Sequence, residues 1–221
     1  MSDIAGNITL LKKQIPSSVK LIAVSKTKTV KDILEIYNTG HKVFGENRVQ
    51  EILTKKELLP DDIQWHLIGH LQSNKVKYII PFISMIQSVD SFKLLSVIDA
   101  EAFKYKRKVN CLLQFHIARE ETKFGFSPEE VIRMMESEEF SKLQSVIICG
   151  VMGMATYTDN EAQVRAEFRF LSECFKDLKR KYFQKEPSFA EISMGMSGDY
   201  KIAIEEGSTM VRIGSLIFGQ R

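Results

Sequence analysis

Three features of this sequence could do chemistry together. Lys26 lies in Ser25-Lys26-Thr27-Lys28, just past the apolar run Lys20-Leu21-Ile22-Ala23-Val24. A lysine drawn toward an apolar interior loses solvation of its charged form, so its pKa falls and its amine becomes a nucleophile suited to an imine. The plain alternative is a surface lysine past a strand end. Ser193-Met194-Gly195-Met196-Ser197-Gly198 and Gly214-Ser215 are rich in glycine and serine. Such turns bring hydroxyls and backbone N–H groups together on a phosphate, or are ordinary turns that need glycine for positive φ. Arg212 interrupts the apolar run Met210-Val211-Arg212-Ile213. A guanidinium there is costly unless paired. Its partner is either a carboxylate, Glu46 or Asp90, or an acceptor on a ligand. An imine-forming lysine and a phosphate seat across one site suggest a phosphorylated aldehyde.

The elements that must position these groups repeat one pattern, a short apolar run followed by an amphipathic segment. Strands are expected at Lys20–Val24, Val43–Phe44, Gln64–Ile68, Ile83–Val89, Val109–Ile117, Ser145–Val151, Phe189–Ile192 and Met210–Ile213. Helices are expected between them. Thr29 caps one that stops at Gly40, and Ser91 caps another with Leu94, Leu95, Ile98, Ala102 and Tyr105 on one face. Ser127-Pro128-Glu129-Glu130 is a capping box with proline at the first helical position. Thr158-Asp159-Asn160-Glu161 is expected to be another, opening the longest helix. That helix carries Val164, Phe168, Leu171, Phe175, Leu178 and Tyr182 toward the barrel. Near-continuous apolar strands alternating with helices argue for a parallel sheet covered by helices. Eight units of about 28 residues predict a closed (β/α)8 TIM barrel, one α/β domain over residues 1–221 with a short helix before the first strand. An open doubly wound sheet is the alternative, but no GxGxxG opens the first helix. In a barrel the chemistry sits at the C-terminal strand ends, where the three features fall.

Composition excludes other classes. A net charge of +3 is too balanced to argue for nucleic acid or an anionic membrane. The longest nearly apolar run, Val146 to Ala155, is too short to span a bilayer, and the N-terminus lacks the pattern of a signal peptide. A cytoplasmic location is therefore expected, and the three scattered cysteines suit a reducing compartment. Cys111 and Cys149 fall within strands and read as packing residues, and Trp65 as core. No metal is expected: His66 and His70 are spaced i, i+4, but on a strand and its turn, where they do not face one another. His41 reads as a surface turn residue and His116 as a satisfied residue of the fifth strand.

Several segments then match one family. They are Ala23-Val24-Ser25-Lys26-Thr27-Lys28, Phe44-Gly45-Glu46-Asn47 with Val49-Gln50-Glu51, Trp65-His66-Leu67-Ile68-Gly69 with Leu71-Gln72-Ser73-Asn74-Lys75, and Ser88-Val89-Asp90. Gly150-Val151-Met152-Gly153-Met154, Ser193-Met194-Gly195-Met196-Ser197 and Gly207-Ser208-Thr209-Met210-Val211-Arg212-Ile213-Gly214 follow in order. From about Leu21 onward the chain resembles the pyridoxal phosphate homeostasis proteins (the YggS/PROSC family), whose fold is similar to the N-terminal barrel of alanine racemase. The resemblance implies that Lys26 holds pyridoxal 5′-phosphate as an imine and that Ser197, Gly214 and Ser215 hold the phosphate. It implies that Arg212 faces the pyridine nitrogen, that Asn47 lies beside the cofactor, and that Met194 and Gly195 line the same wall. Ser215 stands where the family usually has threonine, and His70 where many members have proline. The N-terminal helix is short for the family, so its packing across the barrel bottom is expected to differ.

Pyridoxal phosphate serves carbanion chemistry as an electron sink, best with a protonated ring nitrogen. An arginine partner stays protonated and donates to an unprotonated nitrogen, which weakens the sink. Racemisation also needs acid/base groups on both faces of the substrate carbon. Alanine racemase-like enzymes take the second from another domain, which is not expected after Arg221. The expected function is therefore a carrier or buffer of pyridoxal 5′-phosphate without robust catalysis. It is expected to be monomeric and to serve pyridoxal phosphate-dependent apo-enzymes. A pyridoxal phosphate-dependent amino-acid racemase and a Schiff-base aldolase without cofactor are the alternatives.

Overall fold

The computed structural model describes residues 3–119 and 124–219. Eight parallel strands close on themselves in sequence order, because β1 (Lys20–Val24) pairs with both β2 (Val43–Glu46) and β8 (Met210–Ile213). Between them lie β3 (Gln64–Leu67), β4 (Met85–Val89), β5 (Val109–Gln114), β6 (Val146–Met152) and β7 (Glu191–Ser193). The expected (β/α)8 barrel is the fold. Several strands are shorter than their apolar runs. β5 stops at Gln114, and Phe115 turns aside to bridge Phe126.

The helices are α1 (Ile4–Gln14), α2 (Val30–Tyr37), α3 (Val49–Lys56), α4 (Val76–Ile79), α5 (Phe92–Lys104), α6 (Pro128–Met135), α7 (Glu138–Ser141), α8 (Glu161–Lys181), α9 (Tyr200–Glu205) and α10 (Ser215–Phe218). Their starts follow from caps. Thr29 and Ser127 form reciprocal capping boxes with Asp32 and Glu130. The expected box at Thr158 is not made. Asn160 caps α8 through Gln163 N–H, while Thr158 Oγ1 accepts from the Asn160 amide. Thr158 is thus engaged by the cap residue itself, and the helix starts from Asn160.

Strand alternation sorts the side chains into two cores. Ile22, Met85, Leu112, Cys149, Met152 and Met210 fill the barrel, and a larger cluster lies between the sheet and the helices. α8 buries Val164, Phe168, Leu171 and Leu178 in that outer layer. α10, only four residues long, cannot cover β8 and β1. α1 takes the place of the eighth barrel helix, between α9 and α2, instead of crossing the barrel bottom. The Tyr200 hydroxyl donates to Gln14 Oε1, Asn7 Nδ2 donates to the Ile217 carbonyl, and Ala5 N–H donates to Glu35. Among the described residues no helix is long and apolar enough to cross a membrane.

Candidate functional site

A cleft of about 490 Å³ opens at the C-terminal end of the barrel, within the ~300–1,000 Å³ range of small-molecule sites. Six of the eight residues singled out in the sequence line it: Lys26, Asn47, Ser197, Arg212, Gly214 and Ser215. They arrive from the tops of β1, β2, β7 and β8, which closure of the sheet makes neighbours. Lys26 stands two residues beyond β1, half-buried at the mouth. Ser197 and Gly214 are joined, the Gly214 N–H donating to Ser197 Oγ at 3.3 Å, so the two glycine-rich turns form one wall.

Arg212 is buried, and neither carboxylate considered from the sequence is its partner. Glu46 pairs with Lys55, and Asp90 with His70 Nδ1 at 2.8 Å. Arg212 donates to Ser193 Oγ at 2.6 Å and to the Gly153 carbonyl at 2.9 Å. The Ser193 hydroxyl donates to Gln87 Oε1 at 2.6 Å, and Gln87 Nε2 lies 2.9 Å from His66 Nδ1. A chain of polar groups thus crosses the barrel interior with every donor pointing away from Arg212. It requires a His66 ring that is unprotonated at Nδ1. Burial, helped by the charge of Lys20, holds the His66 pKa down at about 3, and burial lowers Arg212 to about 10, against the pull of Asp199. The histidine is therefore neutral and the guanidinium charged at neutral pH.

Two expected wall residues lie outside the cleft lining. Met194 does not line the cleft. Ser193 points into the barrel, so the two-residue alternation of the strand turns Met194 outward, fully buried in the outer core. Gly195 adds no surface to the cleft either. At φ +94°, a Cβ there would meet Ala203 Cβ at 2.6 Å on the side of α9, while its carbonyl accepts from Arg212 N–H. His41 is also corrected. Its ring is buried edge-on to Phe44, with Nε2 2.8 Å from the Val43 carbonyl. His116 lies just beyond β5 instead of within it.

The sequence reading missed Ile68, Met154, Tyr157 and Asp199, which also line the cleft. Asp199 had a signal, as the polar end of the β7 turn. Its carboxylate accepts from Met196 N–H, and burial raises its pKa. It missed Lys55 and Gln87 entirely, since one lies in a polar helix and the other in an apolar strand. A second cleft of about 570 Å³, between α1, α9 and α10, shares Ser197, Gly198 and Asp199 with the first.

This barrel, with its cleft at the strand tops, is of the alanine racemase N-terminal type, and the family model of that domain matches residues 1–221. A solved alanine racemase from Clostridium difficile shares the fold at a TM-score of 0.76 and 16% identity, with 99% of this chain matched to 56% of that one. Much nearer is the pyridoxal phosphate homeostasis protein of Aquifex aeolicus, 44% identical over 91% of this chain and 87% of its own. The chain belongs to the family of pyridoxal phosphate homeostasis proteins. PipY of Synechococcus elongatus, solved without pyridoxal phosphate, superposes at a TM-score of 0.90 with 37% identity, covering 98% of this chain and all of that one. The same protein solved with pyridoxal phosphate bound gives 0.87 and 36%, with the same coverage.

Proposed function

We propose that this protein binds pyridoxal 5′-phosphate in the strand-top cleft and holds it reversibly, as a carrier or buffer without robust catalysis. The observation that carries the reading is the convergence of Lys26, Arg212, Ser197, Gly214 and Ser215 on one cleft of suitable size. That donor set fits the cofactor. An amine suits the aldehyde, and two hydroxyls with a turn N–H suit a phosphate. A pinned guanidinium suits the ring nitrogen. PipY, so similar in fold and sequence, has been solved with pyridoxal phosphate bound.

The bound cofactor supplies an aldehyde and an electron-withdrawing ring. Lys26 Nζ, lining the cleft, would hold the cofactor by its aldehyde through a bond that hydrolysis reverses. Ser197, Ser215 and the Gly214 amide would anchor the phosphate, and Asn47 would flank the ring. Arg212, charged at neutral pH and fixed by Ser193 and Gly153, would donate to the ring nitrogen without protonating it, which would keep the ring a weak electron sink. Tyr157, at the rim, is 99% exposed and makes no hydrogen bond among the described residues. A phenol loose in water is not the positioned second acid/base that racemisation requires. Holding a reactive aldehyde limits its free concentration in the cytoplasm and keeps it available to apo-enzymes. The protein acts as a monomer and needs neither nucleic acid nor membrane for this role.

Purified protein mixed with pyridoxal 5′-phosphate is expected to turn yellow, and Lys26→Ala to stay colourless while retaining weak phosphate-anchored binding. A wild-type protein that takes up no cofactor overturns the reading. Robust racemisation of an amino acid, lost in Lys26→Ala, overturns the non-catalytic part of it.

A further inference from the structure

The turn that carries Lys26 is gripped from the side of the strands opposite the cleft. Alternation points Val24 and Lys26 into the cleft, but Ala23 and Ser25 toward the outer helices. On β2 it points Asn47 in and Phe44 and Glu46 out. Behind the strand tops, α3 presents Lys55, only 8% exposed. Its ammonium has three N–H donors and three acceptors: the Ser25 carbonyl at 2.8 Å, Glu46 Oε1 at 2.7 Å and Glu51 Oε2 at 3.1 Å. The Ser25 hydroxyl donates to Glu46 Oε1 at 2.6 Å, and Thr27 N–H donates to Glu51 Oε2 at 2.8 Å. Three of these five hydrogen bonds therefore end on Ser25 and Thr27, the residues flanking Lys26.

The conformation they hold is one the chain resists. Thr27 has φ +64°, a left-handed geometry that costs a β-branched residue about 1–2 kcal/mol and persists only where its surroundings impose it. The cluster is itself costly. Glu46 is fully buried, its Oε2 makes no hydrogen bond, and burial raises its pKa against the donations of Lys55 and Ser25. A buried carboxylate, a half-buried one and a buried ammonium behind an eight-stranded barrel add little that its two apolar cores do not already supply. Their bonds go to the lysine turn.

We infer that Lys55 is a positioning residue for Lys26, acting through Ser25, Glu46 and Glu51 to hold the amine where an aldehyde can meet it. The inference rests on the cofactor role proposed for Lys26. A displacement of the amine by about 1 Å costs a bond-forming step on the order of 10²-fold, whereas phosphate anchoring by Ser197, Ser215 and the Gly214 amide does not use the amine.

Removing Lys55 alone would strand Glu46, so the test uses the paired variant Glu46→Gln/Lys55→Met and, on the half-buried residue, Glu51→Ala. Each is titrated with pyridoxal 5′-phosphate, reading imine absorbance, and with pyridoxine 5′-phosphate, whose alcohol replaces the aldehyde, by calorimetry. Both variants are expected to need at least about tenfold more aldehyde ligand for half-maximal imine, while the alcohol ligand binds within about twofold of wild type. Equal losses on the two ligands would mean a structural role, and no loss on either would mean no role. Both outcomes overturn the inference. Wild-type protein that binds the alcohol ligand but forms no imine overturns the role of Lys26 itself, and that of Lys55 with it.

Discussion

Acidification should weaken this fold through one identifiable histidine. His66 is buried inside the barrel and accepts from Gln87 through Nδ1, with a folded-state pKa of about 3. An unfolded histidine titrates near 6.5, so between these values the unfolded chain binds a proton that the folded one does not. Stability therefore falls as pH drops through that window and is complete above it. At about pH 5 the folded ring is still neutral, and the loss relative to pH 7.5 is about 2 kcal/mol from His66 alone. His41, buried and lowered to about 4 by burial and Lys12, adds a comparable loss. The perturbation is His66→Asn, whose carbonyl can still accept from Gln87 but cannot titrate. Urea unfolding at pH 7.5 and 5.0 measures the effect. The variant is expected to be less stable than wild type at pH 7.5, yet to lose about 2 kcal/mol less on acidification. Equal pH dependence in the two proteins would refute a neutral, buried His66 and the donor direction of the chain to Arg212.

Arg212→Leu leaves the Ser193 hydroxyl and the Gly153 carbonyl without their donor, so a loss of about 2–3 kcal/mol is expected in denaturant unfolding, together with weaker cofactor uptake. Gly150 lies at φ +150° on β6, and a Cβ there would stand 1.8 Å from the Glu191 carbonyl oxygen. Gly150→Ala is expected to cost at least about 3 kcal/mol or to abolish soluble expression, and a melting temperature near that of wild type contradicts the β6–β7 register. Ser197→Ala should weaken binding of pyridoxine 5′-phosphate several-fold in calorimetry, while Met194→Leu, a change of similar volume away from the cleft, should leave it unchanged.

Much of the barrel was legible because its signals are local. Apolar runs, caps such as Ser127, and glycine-rich strand ends each report on a few neighbouring residues, and their order gives the topology. The cleft was legible where an unusual residue breaks a pattern, as Lys26 and Arg212 do. The outward side chain of Met194 was also readable: with Arg212 and Ser193 facing in, strand alternation sends Met194 out. Lys55 was not legible at all. In Val49-Gln50-Glu51-Ile52-Leu53-Thr54-Lys55-Lys56 it looks like a solvated residue beside another lysine. Only the approach of α3 to the tops of β1 and β2 buries it against Glu46. The same holds for His41, which follows the turn at Gly40 yet folds its ring onto Phe44. The N-terminal helix took the eighth helical place because α10 is too short to fill it, a vacancy that depends on the closed ring.

The proposed function stands or falls on Lys26 as the residue that bonds the cofactor. Borohydride reduction of the protein with pyridoxal 5′-phosphate, followed by protease digestion and mass spectrometry, locates the trapped pyridoxyl group. One stoichiometric adduct is expected on Lys26, absent from Lys26→Ala. An adduct on another lysine at the same yield, with Lys26 unmodified, would contradict it.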